Sequence, residues 1–173
     1  MHFTKTIFAL TFAGVPIYAL PVDDNAAEGQ FHQSRDTTVT CTPKKNDSNM
    51  KSFKVSMDYA TNQVTKAGFA KGKSGDPHNY GNVDNIQWGV KGCNTKNAQL
   101  WEYPIYWDTK KQGSKVQEWK KDDPSSGQDK TPLRVVYIQD IGTHDKRPKV
   151  CGVMTHSEVA KDFQGEKFFQ KCA

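Results

Sequence analysis

Four cysteines, Cys41, Cys93, Cys151 and Cys172, constrain this 173-residue chain more than any other feature. An even cysteine count in a secreted chain implies a disulfide framework, and four cysteines allow three pairings. No CxxC pair occurs. Three histidines follow residue 35, without zinc-ligand spacing, so no metal or other cofactor is expected. Cys41 and Cys172 lie near the two ends of what remains once a leader is set aside. A bond between them would close the whole domain, and for a loop of roughly 100 residues the chain-entropy estimate is ~4.7 kcal/mol.

The N-terminus supplies the oxidising compartment. "MHFTK" is a short basic start, and "TIFALTFAGVPIYA" is an apolar run interrupted by Pro16 and too short to span a bilayer. It reads as a secretory signal peptide over residues 1–19. Residues 20–35, "LPVDDNAAEGQFHQSR", are polar with little to bury and read as a propeptide with a basic processing site at Arg35. The functional domain is then 36–173, a single domain. The whole chain carries a net charge of +5, and losing Lys5 and Arg35 along with Asp23, Asp24 and Glu28 raises it to +6. That excess suits an anionic partner such as nucleic acid or acidic lipid, and equally suits plain solubility.

The periodicity assigns an α+β domain. "TTVTCTP" alternates as a strand does and ends at Pro43. Met57, Ala60, Val64 and Ala67 recur on one helical face, with Ser56 placed to cap the start, Asp58 in the first turn and Gly68 placed to close the end. "KGKSGDPHNYGN", residues 71–82, is a Gly/Pro-rich loop. "VDNIQWGV", "QLWEYPIYW", "PLRVVYIQ", "KVCGVMTH" and "KFFQKC" all look like strands, whereas 108–131 reads as a long exposed loop. One helix followed by strands with hairpin-length connections predicts a helix packed on a central antiparallel sheet.

Three of the strand-like runs carry a polar group that breaks their apolar pattern: Glu102 in "LWEYP", Arg134 in "PLRVVYI" and His156 in "GVMTH". His78 sits in the Gly/Pro loop. Because a strand alternates its faces, one polar residue per strand can point into a shared groove, which stays open if the helix covers the other face. Taken singly, each has a plain structural reading: a surface carboxylate, a surface ion pair, a hydrogen-bonded histidine. Together, a carboxylate, a guanidinium and two imidazoles are the set that cleaves RNA without metal: a base for the 2′-hydroxyl, an acid for the leaving 5′-oxygen, and a cation for the phosphoryl oxygens.

The runs "GKSGDPH", "QLWEYPIYW", "RVVY" and "CGVMTHS", together with the cysteine spacing, resemble the fungal ribotoxins, secreted relatives of the small guanyl-specific microbial ribonucleases. The likeness covers roughly Thr38 to Ala173 and is strongest to the insect-pathogen members of the hirsutellin A type. It implies the microbial-ribonuclease fold with an N-terminal hairpin, and disulfides Cys41–Cys172 and Cys93–Cys151. The implied activity is cleavage of one phosphodiester in the sarcin–ricin loop of large-subunit ribosomal RNA. The implied life cycle is a secreted monomer that crosses acidic phospholipid membranes and acts in the cytosol of target cells.

By the same resemblance, Glu102 is the general base, His156 the general acid and Arg134 the stabiliser of phosphoryl charge. His78 assists the base, and Phe169 packs on the acid imidazole. Asp76 stands where larger ribotoxins such as α-sarcin carry tyrosine, and would raise or position His78 electrostatically. Lys110, Lys111, Lys115, Lys120, Lys121 and Lys130 would supply phosphate contacts beyond the cut site, although Asp108, Glu118, Asp122, Asp123 and Asp129 dilute their charge. Two competing readings are a non-catalytic ribonuclease-like effector that binds RNA or a host protein, and a general secreted ribonuclease.

Overall fold

The computed structural model describes residues 37–140, 142 and 146–173. The expected signal peptide and propeptide lie outside the described residues. The first element is a hairpin-like pair, β1 (Thr38–Cys41) and β3 (Phe53–Ser56), antiparallel with Cys41 opposite Phe53. Between them lies β2 (Lys45–Asn46). α1 (Met57–Ala67) follows directly, and its N-terminus is capped as the sequence suggests: the Ser56 hydroxyl accepts from Tyr59 N. Gly68 ends it at φ 65°, a left-handed conformation that glycine adopts without steric penalty. Asp58 lies in the first turn and Lys66 in the last, each matched to the helix dipole.

The central sheet is built from β4 (His78–Tyr80), β5 (Leu100–Ile105), β8 (Leu133–Gln139), β9 (Pro148–Val159) and β10 (Gly165–Lys171). Its order is β10-β9-β8-β5-β4, antiparallel throughout, and β2 joins β9 in parallel. A small hairpin, β6 (Lys111–Gln112) with β7 (Lys115–Val116), and a 3-10 turn at Ser125–Gly127 lie between β5 and β8. Among the described residues α1 is the one α-helix.

Strand alternation sorts the core. Tyr103 and Ile105 of β5, Leu133, Val135 and Tyr137 of β8, and Val153 of β9 face α1 and bury against its Ala60, Val64 and Ala67. Leu100, Val136 and Met154 sit on the opposite face, with Tyr80, Trp88, Ile86 and the Cys93–Cys151 bond forming a smaller apolar cluster. Cys41–Cys172 ties β1 to the C-terminus. Both disulfides pair as the family resemblance implies.

Two expected elements differ. "VDNIQWGV" forms no strand. The Asn82 side chain bonds both the N–H and the carbonyl of Ile86, and Trp88 N–H donates to Asn94 Oδ1, so this backbone is satisfied locally instead of by a partner strand. Its apolar residues are explained by packing, since Ile86 and Trp88 are buried. The 108–131 segment is not simply exposed: Trp119 is buried, and the Tyr103 hydroxyl donates to its carbonyl at 2.9 Å.

Candidate active site

Register places the polar interruptions on one face. His78 pairs with Glu102, Pro104 with Arg134, Arg134 with Met154, and Phe169 with His156. Paired residues point the same way and every second residue along a strand shares that direction. His78, Glu102, Arg134, His156 and Phe169 therefore all project from the face opposite α1. The strand order β4-β5-β8-β9-β10 sets them in that sequence across the sheet, and the two-residue offset at each step from Glu102 to Arg134 to His156 makes the row diagonal. His78 is not in a loop, as the Gly/Pro content suggested; it opens edge strand β4.

At one end, His78 is held between two carboxylates. Its Nε2 lies 2.7 Å from Glu102 Oε1 and its Nδ1 lies 2.9 Å from Asp76 Oδ1. Both carboxylates are buried and the imidazole is half-exposed. The Asp76 hydrogen bond, and after it the Glu102 one, raise His78 to about 9, so at neutral pH it is an imidazolium donating to both. Glu102 Oε2 is buried and, among the described residues, has no hydrogen-bond partner. It is the carboxylate oxygen not already engaged by His78.

Arg134 occupies the middle. Its Nη1 donates to the carbonyls of Thr131 and Leu133 at 3.0 and 2.8 Å, which fixes the guanidinium plane and leaves the Nη2 and Nε protons for other acceptors. Burial pushes its proton affinity down, while the charges of Glu102 and Asp76 push it back up.

At the other end, His156 Nδ1 donates to the Lys167 carbonyl at 3.1 Å. A carbonyl can only accept, so Nδ1 carries a hydrogen and Nε2 is left toward the groove. That carbonyl is available because β10 is irregular between Glu166 and Phe169, with Lys167 at φ 63°. The Phe169 ring lies 3.9 Å from the imidazole centroid. Burial holds His156 below the usual histidine range. The Lys167 carbonyl opposes that shift, Arg134 adds to it, and Glu102 opposes it.

A scan of protein families matches residues 41–173 to a model described as ribonuclease. The chain belongs to the ribonuclease family. The ribonuclease is 46% identical to hirsutellin A from Hirsutella thompsonii, over 79% of this chain and 98% of that one, with a TM-score of 0.60. Restrictocin, described as a highly specific Aspergillus ribotoxin, shares the fold at 19% identity and a TM-score of 0.58, over 79% of this chain and 99% of its own. A search of curated proteins finds no match. The expected likeness to fungal ribotoxins of the hirsutellin A type and the α+β ribonuclease fold both stand.

Three residues of this ribonuclease site carried no signal in the sequence pattern. Gly165 lies beneath His156: a Cβ there would overlap the imidazole, coming to 2.5 Å from its Cγ. Lys167 acts through its backbone carbonyl. Asp84 Oδ2 accepts from Phe169 N at 3.0 Å and fastens the 82–86 turn to β10. A missing Cβ and a backbone carbonyl leave no mark on side-chain periodicity, and Asp84 lies in a turn that has none.

The lysines of 108–131 divide into two groups. Lys110 is paired with Asp129 at 2.7 Å, Lys120 with Asp123 at 3.9 Å, and Lys130 with Asp162 at 2.7 Å. Lys121 Nζ donates to Ala67 O at 2.9 Å, closing the C-terminal end of α1. Lys111 and Lys115 project from the β6–β7 hairpin, exposed. Most of the ammonium groups expected to meet RNA are therefore engaged within the chain.

Proposed function

We propose that this ribonuclease is a secreted ribotoxin that cleaves one phosphodiester of the sarcin–ricin loop in large-subunit ribosomal RNA and so stops translation. The observation that carries the chemistry is the diagonal row of Glu102, Arg134 and His156 on the open sheet face, with His78 and Asp76 behind Glu102. The likeness to hirsutellin A and to restrictocin, the latter described as a ribotoxin, supports the ribosomal target.

Glu102 accepts the 2′-hydroxyl proton as that oxygen attacks the adjacent phosphorus. Arg134, placed between base and acid, stabilises the charge that develops on the non-bridging oxygens. His156 donates its Nε2 proton to the departing 5′-oxygen, giving a 2′,3′-cyclic phosphate and a 5′-hydroxyl. Hydrolysis of the cyclic product then runs with the roles reversed: His156 takes a proton from water and Glu102 returns one to the 2′-oxygen. His78 is charged at neutral pH, so its help to the base is donation: it orients Glu102 and stabilises its anion. Asp76 holds His78 in that state. The contacts with Phe169 and Gly165 restrict the orientation of the acid imidazole. Every role in the reaction is filled by a side chain, so the step needs no metal.

The enzyme acts as a monomer in the cytosol of the target cell, and its net positive charge favours contact with acidic phospholipid during entry. Incubation of the processed protein with intact ribosomes and with naked RNA tests this reading. One discrete fragment from the 3′ end of the large ribosomal RNA is expected. Intact RNA would point to a non-catalytic binding protein, and a smear to a general ribonuclease.

A further inference from the structure

We propose that Asp84 is a positioning residue for the general acid: its carboxylate holds the irregular stretch of β10 that orients the His156 ring. The inference rests on the ribonuclease reading of the Glu102–Arg134–His156 row and assigns a residue that acts on that row through another strand.

Both contacts that set the imidazole come from one kink. The β9–β10 register shifts between Glu166 and Phe169, and Lys167 sits at φ 63°. The Lys167 carbonyl in that kink accepts from His156 Nδ1 at 3.1 Å, and the Phe169 ring beyond it lies 3.9 Å from the imidazole centroid. A non-glycine residue in the left-handed region is strained, so the kink persists only where its surroundings hold it. His156 N–H donates to Pro132 O, on the β8 side of its strand. Phe169, paired with His156, therefore points its own N–H away from β9. β10 is the outermost strand, so that N–H has no ladder partner. Asp84 Oδ2 meets it at 3.0 Å. A carboxylate on a backbone N–H is a stronger tie than a neutral acceptor.

Asp84 is itself held in place. Its turn is bracketed by Asn82, whose Oδ1 accepts from Ile86 N at 2.9 Å and whose Nδ2 donates to Ile86 O at 3.1 Å. Further on, Trp88 lies against Gly152 of β9, and Lys171 Nζ of β10 donates to Trp88 O at 2.6 Å. The segment thus leaves β4 at one edge of the sheet, crosses the face opposite α1 and is fastened to β10 at the other edge. His78 opens β4, so one segment links the base end of the row to the acid end. The charged side chains acting on the His156 ring are Arg134 on β8 and Glu102 on β5, and β10 adds the Lys167 and Glu166 backbone. Asp84 acts on the ring through that backbone. Cutting the tie releases Phe169 and admits water to the imidazole. Burial is the main cause that holds His156 low, so its affinity for the proton then rises toward the ordinary value.

The test compares wild type with Asp84→Ala and Asp84→Asn on intact ribosomes. Asp84→Ala should lower kcat roughly 10- to 100-fold with KM near normal, the scale of a misplaced catalytic group. It should also move the fall of kcat/KM with rising pH to higher pH. Asp84→Asn keeps an acceptor for the Phe169 N–H, and should restore most of the lost kcat and the wild-type pH profile. Two NMR readouts need no cleavage. The His156 ring titration should move up in Asp84→Ala and stay in place in Asp84→Asn. In wild type, the Phe169 amide proton should shift when acid protonates the Asp84 carboxylate. An alanine variant with wild-type kcat, pH profile and His156 titration would overturn the assignment. So would a loss confined to KM or to thermal stability, an asparagine variant as impaired as the alanine one, or a Phe169 amide that ignores acid. Failure of the wild type to cut ribosomes would instead remove the ribonuclease reading, and the two NMR titrations would still decide whether Asp84 sets the His156 ring.

Discussion

His156 owes its placement to a missing side chain as much as to its partners. The imidazole lies against the bare backbone of Gly165 and beside the Phe169 ring, with Nδ1 pinned by the Lys167 carbonyl. A methyl at position 165 must displace the ring. Gly165→Ala should keep RNA affinity near normal and lower kcat at least tenfold, on the order of the smaller effects of misplaced acid–base groups. It should also change the His156 ring titration seen by NMR, which a purely structural defect elsewhere would leave alone. Glu102→Gln and His156→Gln should each reduce cleavage by about 10² to 10⁴ while RNA binding persists, measured by single-turnover kinetics and a binding titration. Near-normal cleavage by either variant would remove that residue from its role. Burial holds His156 below its usual range, so kcat/KM should already be falling with rising pH below the ordinary histidine region, because the acid loses its proton there in the free enzyme.

Glu102, Arg134 and His156 were legible because each interrupts an apolar strand, and a charge in such a place has to be either paired or used. Gly165 and Lys167 were not, because what they contribute is an absent Cβ and a carbonyl.

At the scale of elements, β5 is the hinge between stability and chemistry. Tyr103 and Ile105 face α1, whereas Glu102 projects from the opposite face of the sheet. A slip of one residue in its pairing would bury the carboxylate under the helix and expose the core, so the β5–β8 register is fixed from both faces. Ile105→Ala, at a fully buried position, should cost about 2 to 5 kcal/mol in denaturant unfolding. A loss below 1 kcal/mol, estimated on that same scale, would show that the β5 core face is not tightly packed. The helix was readable from its stripe and caps because each of its signals is local. The 83–90 run was misread because its apolar residues serve a satellite core, and apolar content does not reveal whether a backbone is satisfied by a strand or by asparagine side chains. His78 was assigned to a loop for a related reason: three residues of edge strand beside a Gly/Pro run are too few to show alternation.

For the molecule as a whole, the two disulfides close the ends and pin the 93 region to β9, and the charged cluster makes stability depend on pH. His78 is raised to about 9 from an unfolded value near 6.5. Its contribution is therefore fully present below pH ~6.5 and is lost as pH rises through about 9. His156, shifted the other way, contributes above its unfolded value and loses that contribution as pH falls. Thermal unfolding followed across this range should show Tm declining on the alkaline side in wild type and a flatter curve in His78→Asn. Parallel curves for the two proteins would mean that the Asp76–His78–Glu102 contacts do not persist in solution.

The central claim is that Glu102, Arg134 and His156 act on one phosphodiester through its own 2′-hydroxyl. End-group analysis of the cleaved RNA, with and without a chelator, tests it most directly. The upstream fragment should end in a 2′,3′-cyclic phosphate and the downstream fragment should begin with a 5′-hydroxyl, at the same rate in either condition. A 3′-hydroxyl with a 5′-phosphate, or cleavage abolished by the chelator, would contradict the account.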